Sequence, residues 1–219
     1  HSSGLVITEN IFTNGSKAIS LTGASNNHAD GISVTQNTIN TGSHGIYLRY
    51  VNDARIENNT ISNPSIYGIE FYDCDGEFEI SKNRVMGSNM DYALYLYASQ
   101  GQSDQSGIIA NNILEADRGA IYLSTCSNID VVHNTGHSLS VNASYRTFNS
   151  ESAGGGIAVF NNIFANSGGG YATYISGSSG LSTHDYNTLF TPGPSLGYWD
   201  GLIAGNLLEL QSFSQEEQN

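Results

Sequence analysis

Val34-Thr-Gln-Asn37-Thr-Ile39, Ile56-Glu-Asn-Asn59-Thr-Ile61, Ile80-Ser-Lys-Asn83-Arg-Val85 and Ile108-Ile-Ala-Asn111-Asn-Ile113 repeat one phrase: an aliphatic, two spacers, an Asn, one spacer, a second aliphatic. Weaker copies run from Val6 to Ile11, Val131 to Gly136, Ala158 to Ile163 and His184 to Leu189. Successive starts lie 22 to 28 residues apart. A period just above twenty with strand-like alternation suits one turn of a parallel β-solenoid.

A second ladder runs in phase with the first: Ile19 and Leu21, Ile46 and Leu48, Ile69 and Phe71, Leu94 and Leu96, Ile121 and Leu123, then Ala172 to Ile175. Each coil therefore carries at least two short strands with apolar residues alternating inward. Residues 136–156 lack a clear copy, so an irregular excursion bearing Tyr145, Arg146 and Phe148 is expected there.

Over nearly its whole length the chain resembles the right-handed parallel β-helix superfamily of pectate-lyase-like proteins, with repeats of the carbohydrate-binding and sugar-hydrolase type found in secreted bacterial and archaeal proteins. The resemblance implies an all-β, single-stranded solenoid of about eight coils, with the recurring Asn stacked inside as a hydrogen-bonded ladder. It does not fix a function, because the fold hosts lyases, hydrolases, adhesins and spacers. Residues 1–190 are read as the coils and 191–219 as a C-terminal turn and short amphipathic capping helix. Leu207, Leu208, Leu210 and Phe213 are expected on one helical face. The natural chain is expected to continue beyond these residues, flanked by further domains.

Seven basic against twenty acidic residues leave a net charge of −13, which disfavours nucleic acid and anionic membranes. No apolar run approaches the ~20 residues of a membrane span, so no membrane insertion is expected. Scarce charge with abundant Asn, Ser, Gly and Tyr suits a secreted, extracellular or cell-surface protein that meets sugars. Cys74 and Cys126 occupy the same slot two coils apart, ~10 Å at strand spacing, beyond the ~7 Å reach of a disulfide. Both read as buried fillers.

Outward positions of the second ladder give Ser20 and Thr22, Tyr47 and Arg49, Glu70 and Tyr72, Tyr95 and Tyr97, Tyr122 and Ser124, Tyr174 and Ser176. Tyr47, Tyr72, Tyr95, Tyr97 and Tyr122 would form a flat aromatic floor, apt for a polysaccharide chain, with Arg49 and Glu70 as polar contacts. Tyrosine also favours strands and stacks across them, which explains the row without a ligand. Longer connections at residues 24–30 and 99–106 would raise rims at either end.

Catalytic candidates in or beside that groove are Arg49, Glu70, Asp73, Asp30 and His44. Asp73-Cys-Asp75-Gly on a turn could hold calcium through oxygen ligands, and the superfamily's lyases pair calcium with a base, for which Arg49 is the only candidate on this face. Asn27-His-Ala-Asp30-Gly resembles the Asn-Thr-Asp-Gly of polygalacturonase-like glycosidases, and Ser43-His44-Gly45 their Gly-His-Gly. No double Asp and no Arg-Ile-Lys segment accompanies them, and both Asp30 and His44 sit in columns of turn or corner residues. Three functions remain open: a polysaccharide-binding module, a lyase or hydrolase acting on a uronate-containing glycan, and a structural spacer or adhesin stalk.

Overall fold

A computed structural model describes residues 4–40 and 42–218. Among them three parallel sheets run the length of the chain. Sheet I begins with Val6–Thr8 and ends with Leu181–Asp185, sheet II begins with Ile11–Thr13 and ends with Thr188–Phe190, and sheet III begins with Lys17–Thr22. Each strand pairs with its counterpart one coil on, as in Val34 with Ile56 and Ile46 with Ile69. The chain is thus an all-β solenoid of about eight turns closed by one helix, Leu207–Ser214. Sheet III continues past residue 190: Gly197–Trp199 pairs in parallel with Tyr171–Ser176, and Leu202–Ala204 returns antiparallel against it.

The Asn ladder is continuous from Asn10 through Asn37, Asn59, Asn83, Asn112, Asn134 and Asn162 to Asn187. Each backbone N–H donates to the side-chain oxygen of the next Asn at 2.9–3.0 Å. The residue before each ladder Asn, from Glu9 to Tyr186, lies in the left-handed region at φ 54–58°. A non-glycine residue there costs roughly 1–2 kcal/mol, and the amide bonds that close every corner offset that cost.

Three copies of the phrase sit one residue later than their spelling suggests. Ile7, Ile109 and Val159 pair with the ladder aliphatics, and Asn112, not Asn111, points inward. Each slip falls on a doublet, Val6-Ile7, Ile108-Ile109 or Ala158-Val159, where either member satisfies the pattern. Burial separates them: Val6 and Ile108 are exposed and Ile109 is fully buried. The expected excursion at 136–156 contains a regular strand, Arg146–Glu151, with Phe148 on Ile121 and Ser150 on Leu123. The ladder was hidden there because Phe148 is its only large apolar residue.

Small residues precede the second ladder because the wall of sheet II is close. A Cβ added to Gly68 would lie 2.1 Å from the Val85 side chain and 2.6 Å from the Ala93 carbonyl. In the terminal helix Leu210 is buried and Phe213 packs on the core, but Leu208 is exposed. At 100° per residue Leu208 lies about 160° around from Leu210, so the four apolar residues do not share a face.

Cys74 and Cys126 are free and buried. Burial pushes both thiols up to about 12, and a thiol is not a nucleophile. Both are expected to resist alkylation in the folded chain and react promptly in denaturant. Rapid labelling of either under native conditions would place it outside the core.

Candidate functional site

Outward side chains of sheet III stack in three columns. The first runs Lys17, His44, Tyr67, Tyr92; the second Ser20, Tyr47, Glu70, Tyr95, Tyr122, Asn149, Tyr174, Tyr198; the third Thr22, Arg49, Tyr72, Tyr97, Ser124, Glu151, Ser176. All seven expected binding residues, Tyr47, Arg49, Glu70, Tyr72, Tyr95, Tyr97 and Tyr122, therefore share one face. His44, expected at a corner, belongs to the same surface, as do Tyr67, Tyr92 and Tyr198, which the alternation of the second ladder does not pick out.

The tyrosines do not make a flat floor. Tyr67 and Tyr95 stack face to face, centroids 4.5 Å apart and 7° from parallel, as do Tyr174 and Tyr198 at 4.1 Å and 5°. Tyr122 stands edge-on to Tyr95 at 81°. The surface thus offers ring edges and hydroxyls between stacked pairs. Such pairs contribute about 0.5–1.5 kcal/mol each beyond area burial.

Charges interleave with the rings. The Arg49 guanidinium lies between Tyr50 and Tyr72, 4.6 Å from each centroid, and donates to the Tyr50 hydroxyl at 2.8 Å. That hydrogen bond raises its pKa further, so Arg49 is a fixed cation and unsuited to abstract a proton. Nor is it alone: Lys17 lies 3.5 Å over Tyr47 and Arg146 3.4 Å over Tyr174. Tyr122 donates to Glu151 at 2.7 Å, and Arg146 contacts the same carboxylate. Burial raises the Glu151 carboxyl, but the bonds from Tyr122 and Asn149 and the Arg146 charge outweigh it and hold it below the usual range. Burial also pushes Tyr67 up to about 12.

His44 and Glu70 meet at the edge of the tyrosines, Nε2 to Oε2 3.1 Å, each side chain 11% exposed. The other ring nitrogen contacts the Ser43 hydroxyl at 2.9 Å. Asp30 is elsewhere, in the corner strand Ala29–Asp30 that joins sheet III to sheet I, where Asn52 Nδ2 donates to its carboxylate at 3.1 Å. The whole width of the strand His44–Arg49 separates Asp30 from His44, so the two glycosidase-like motifs do not converge.

At that corner Asp73 and Asp75 come together with His28, one ligand atom from each lying within 4.8 Å of the others. His28 was not singled out, because the turn Ala24–Asn27 carries it to residues 45 and 47 positions away in sequence. Asp75 Oδ2 is 3.9 Å from His28 Nδ1. Burial raises the Asp75 carboxyl above its ordinary value.

No curated protein and no solved structure matches the chain. Residues 1–178 match the family model of the periplasmic copper-binding protein NosD, and on that extent of its length the chain belongs to the NosD family of periplasmic β-helix proteins.

Proposed function

We propose that this chain is an extracytoplasmic β-helix module that binds a polysaccharide along the tyrosine face of sheet III. The observation that carries the reading is segregation: ten of the 13 tyrosines lie in strands of sheet III, and none lies in a strand of sheets I or II. Strand propensity would spread them over all three sheets. Half-buried rings with free edges, interleaved with Glu70, Asn149, Arg49 and Arg146, supply apolar contact and hydroxyl partners for successive sugars.

In affinity electrophoresis through gels holding neutral or uronate-containing polysaccharides, the chain is expected to be retarded by at least one. Tyr95→Ala and Tyr122→Ala should each weaken that retardation at least tenfold, about 1.4 kcal/mol. Retardation unchanged in both variants rejects the reading.

Cleavage of the bound glycan is favoured by one observation, the His44–Glu70 contact. A carboxylate-oriented imidazole beside a binding surface has the arrangement of a general base. Under this second reading His44→Ala removes unsaturated or hydrated products, detected by mass spectrometry, while binding persists.

The family description names copper, and two donor sets bear on it. The buried thiols of Cys74 and Cys126 lie two coils apart, ~10 Å at strand spacing, with Ser99 between them, and do not converge on one Cu⁺ ion. His28, Asp73 and Asp75 offer a nitrogen and two oxygens, a set that fits Cu²⁺ and other borderline divalent ions.

A further inference from the structure

We propose that His28, Asp73 and Asp75 form an open three-ligand site for a borderline divalent ion such as Zn²⁺, which clamps three successive coils beside the tyrosine face. His28 belongs to the first coil, Asn52 to the second, Asp73 and Asp75 to the third, in a column that continues as Asp75 to Gln100 by parallel bridges. The inference goes beyond the glycan reading and does not depend on it.

The corner is short of cations. Among the described residues no Lys or Arg forms an ion pair with Asp73 or Asp75; Asp75 Oδ1 accepts the Gln100 N–H at 3.2 Å, and its Oδ2 faces His28 at 3.9 Å. Asp73 accepts no side-chain hydrogen bond there, and its charge acts on Asp75 in a partly buried setting. Like charges so placed destabilise each other, and a divalent ion relieves both at once. His28 is held at this corner by Asn52, whose Oδ1 lies 2.9 Å from Nδ1 while its Nδ2 donates to Asp30.

Ligands at most 4.8 Å apart need to close by about 1 Å to surround an ion at the ~2.0–2.2 Å of zinc–nitrogen and zinc–oxygen bonds. The turn Ala24–Asn27, held by two backbone bonds of 2.9 and 3.2 Å, carries His28 and is exposed, so this closure falls on the loop. On binding, Nδ1 exchanges its contact with Asn52 for the ion and the ring proton resides on Nε2. The imidazole also decides the ion. Calcium takes oxygen ligands in sixes to eights, whereas one nitrogen and two carboxylates with open positions suit Zn²⁺ or Cu²⁺.

The test uses the chain without a purification tag, freed of metal by chelator, titrated with Zn²⁺, Cu²⁺ and Ca²⁺ by calorimetry, with the thermal midpoint followed in parallel. One equivalent of Zn²⁺ or Cu²⁺ is expected, Ca²⁺ at least tenfold weaker, with a rise in midpoint. His28→Ala and Asp73→Asn should each weaken Zn²⁺ binding at least tenfold, and His137→Ala should leave it unchanged. The Cu²⁺ complex should show coupling to one imidazole nitrogen in its electron paramagnetic resonance spectrum, lost in His28→Ala. Saturable binding that survives in a folded His28→Ala chain, or no saturable binding of either ion, overturns the proposal. Because His28→Ala leaves the tyrosines in place, glycan retardation reports separately on the other reading.

Discussion

Asn83→Ala is expected to cost about 4 kcal/mol, a large part of the stability of an ordinary domain. Asn83 Oδ1 accepts from the backbone and side-chain nitrogens of Asn59, both at 3.0 Å. Its Nδ2 donates to the Ile56 and Ser81 carbonyls at 2.8 and 3.0 Å and lies 3.1 Å from Asn112 Oδ1. The residue is 1% exposed, so water does not replace those partners. Each buried group left unpaired costs about 1–3 kcal/mol, and the change orphans several at once. The neighbouring Lys82, held at φ 54°, loses the bonds that keep its corner closed. Chemical denaturation checks this, with exposed Thr60→Ala, expected within about 0.5 kcal/mol of the parent, as reference. A cost below about 1 kcal/mol for Asn83→Ala would mean the ladder does not hold the coils.

Glu217→Ala is expected to be nearly as damaging, about 3 kcal/mol, although it lies in a polar tail. Glu217 takes the place of a further ladder Asn. Asn187, the last of the series, donates its backbone N–H to Glu217 Oε2 at 3.1 Å and its side-chain nitrogen to Oε1 at 2.8 Å. Oε1 also lies 2.8 Å from His184 Nδ1, both side chains at most 1% exposed, and the other face of that imidazole meets the Thr173 hydroxyl at 3.0 Å. The Glu217 N–H in turn donates to the His184 carbonyl at 3.0 Å. Removing the carboxylate strands two donors and a buried imidazole, and breaking such a pair from one side costs about 3–5 kcal/mol. Glu217→Gln keeps one acceptor oxygen and should lose about half as much. Thermal unfolding ranks the variants; equal stability of the parent and Glu217→Ala would show that the tail does not seal the last coil.

What could be read from the sequence follows from what a repeat encodes. An Asn flanked by aliphatics at a constant offset reports a stacked, buried amide, and that placed the solenoid and seven of its tyrosine-face residues without coordinates. Doublets such as Ile108-Ile109 carry no such information, since only packing decides which member turns inward. Phe148 stood alone because Thr147 and Ser150, both fully or nearly buried, contribute polar rather than aliphatic filling. His28 and Glu217 were invisible for another reason. Each acts on a coil other than its own, across 45 or 30 residues, through loop and tail geometry that no period describes. Ring orientation was likewise hidden, since one Tyr column can lie flat or stack on itself with the same strand register.

If the tyrosines of sheet III are a ligand-binding surface and not packing alone, their rings report directly on a bound glycan. Carbon-labelled tyrosine makes it visible, with Tyr186 and Tyr145, both outside the strands of sheet III, as internal references. Titration with oligosaccharides cut from a polysaccharide that retards the chain should shift the ring resonances of Tyr67, Tyr95 and Tyr122 by nuclear magnetic resonance, and leave Tyr186 and Tyr145 in place. Shifts confined to Tyr186 or Tyr145, or a bound glycan that moves no tyrosine of sheet III, would contradict the account.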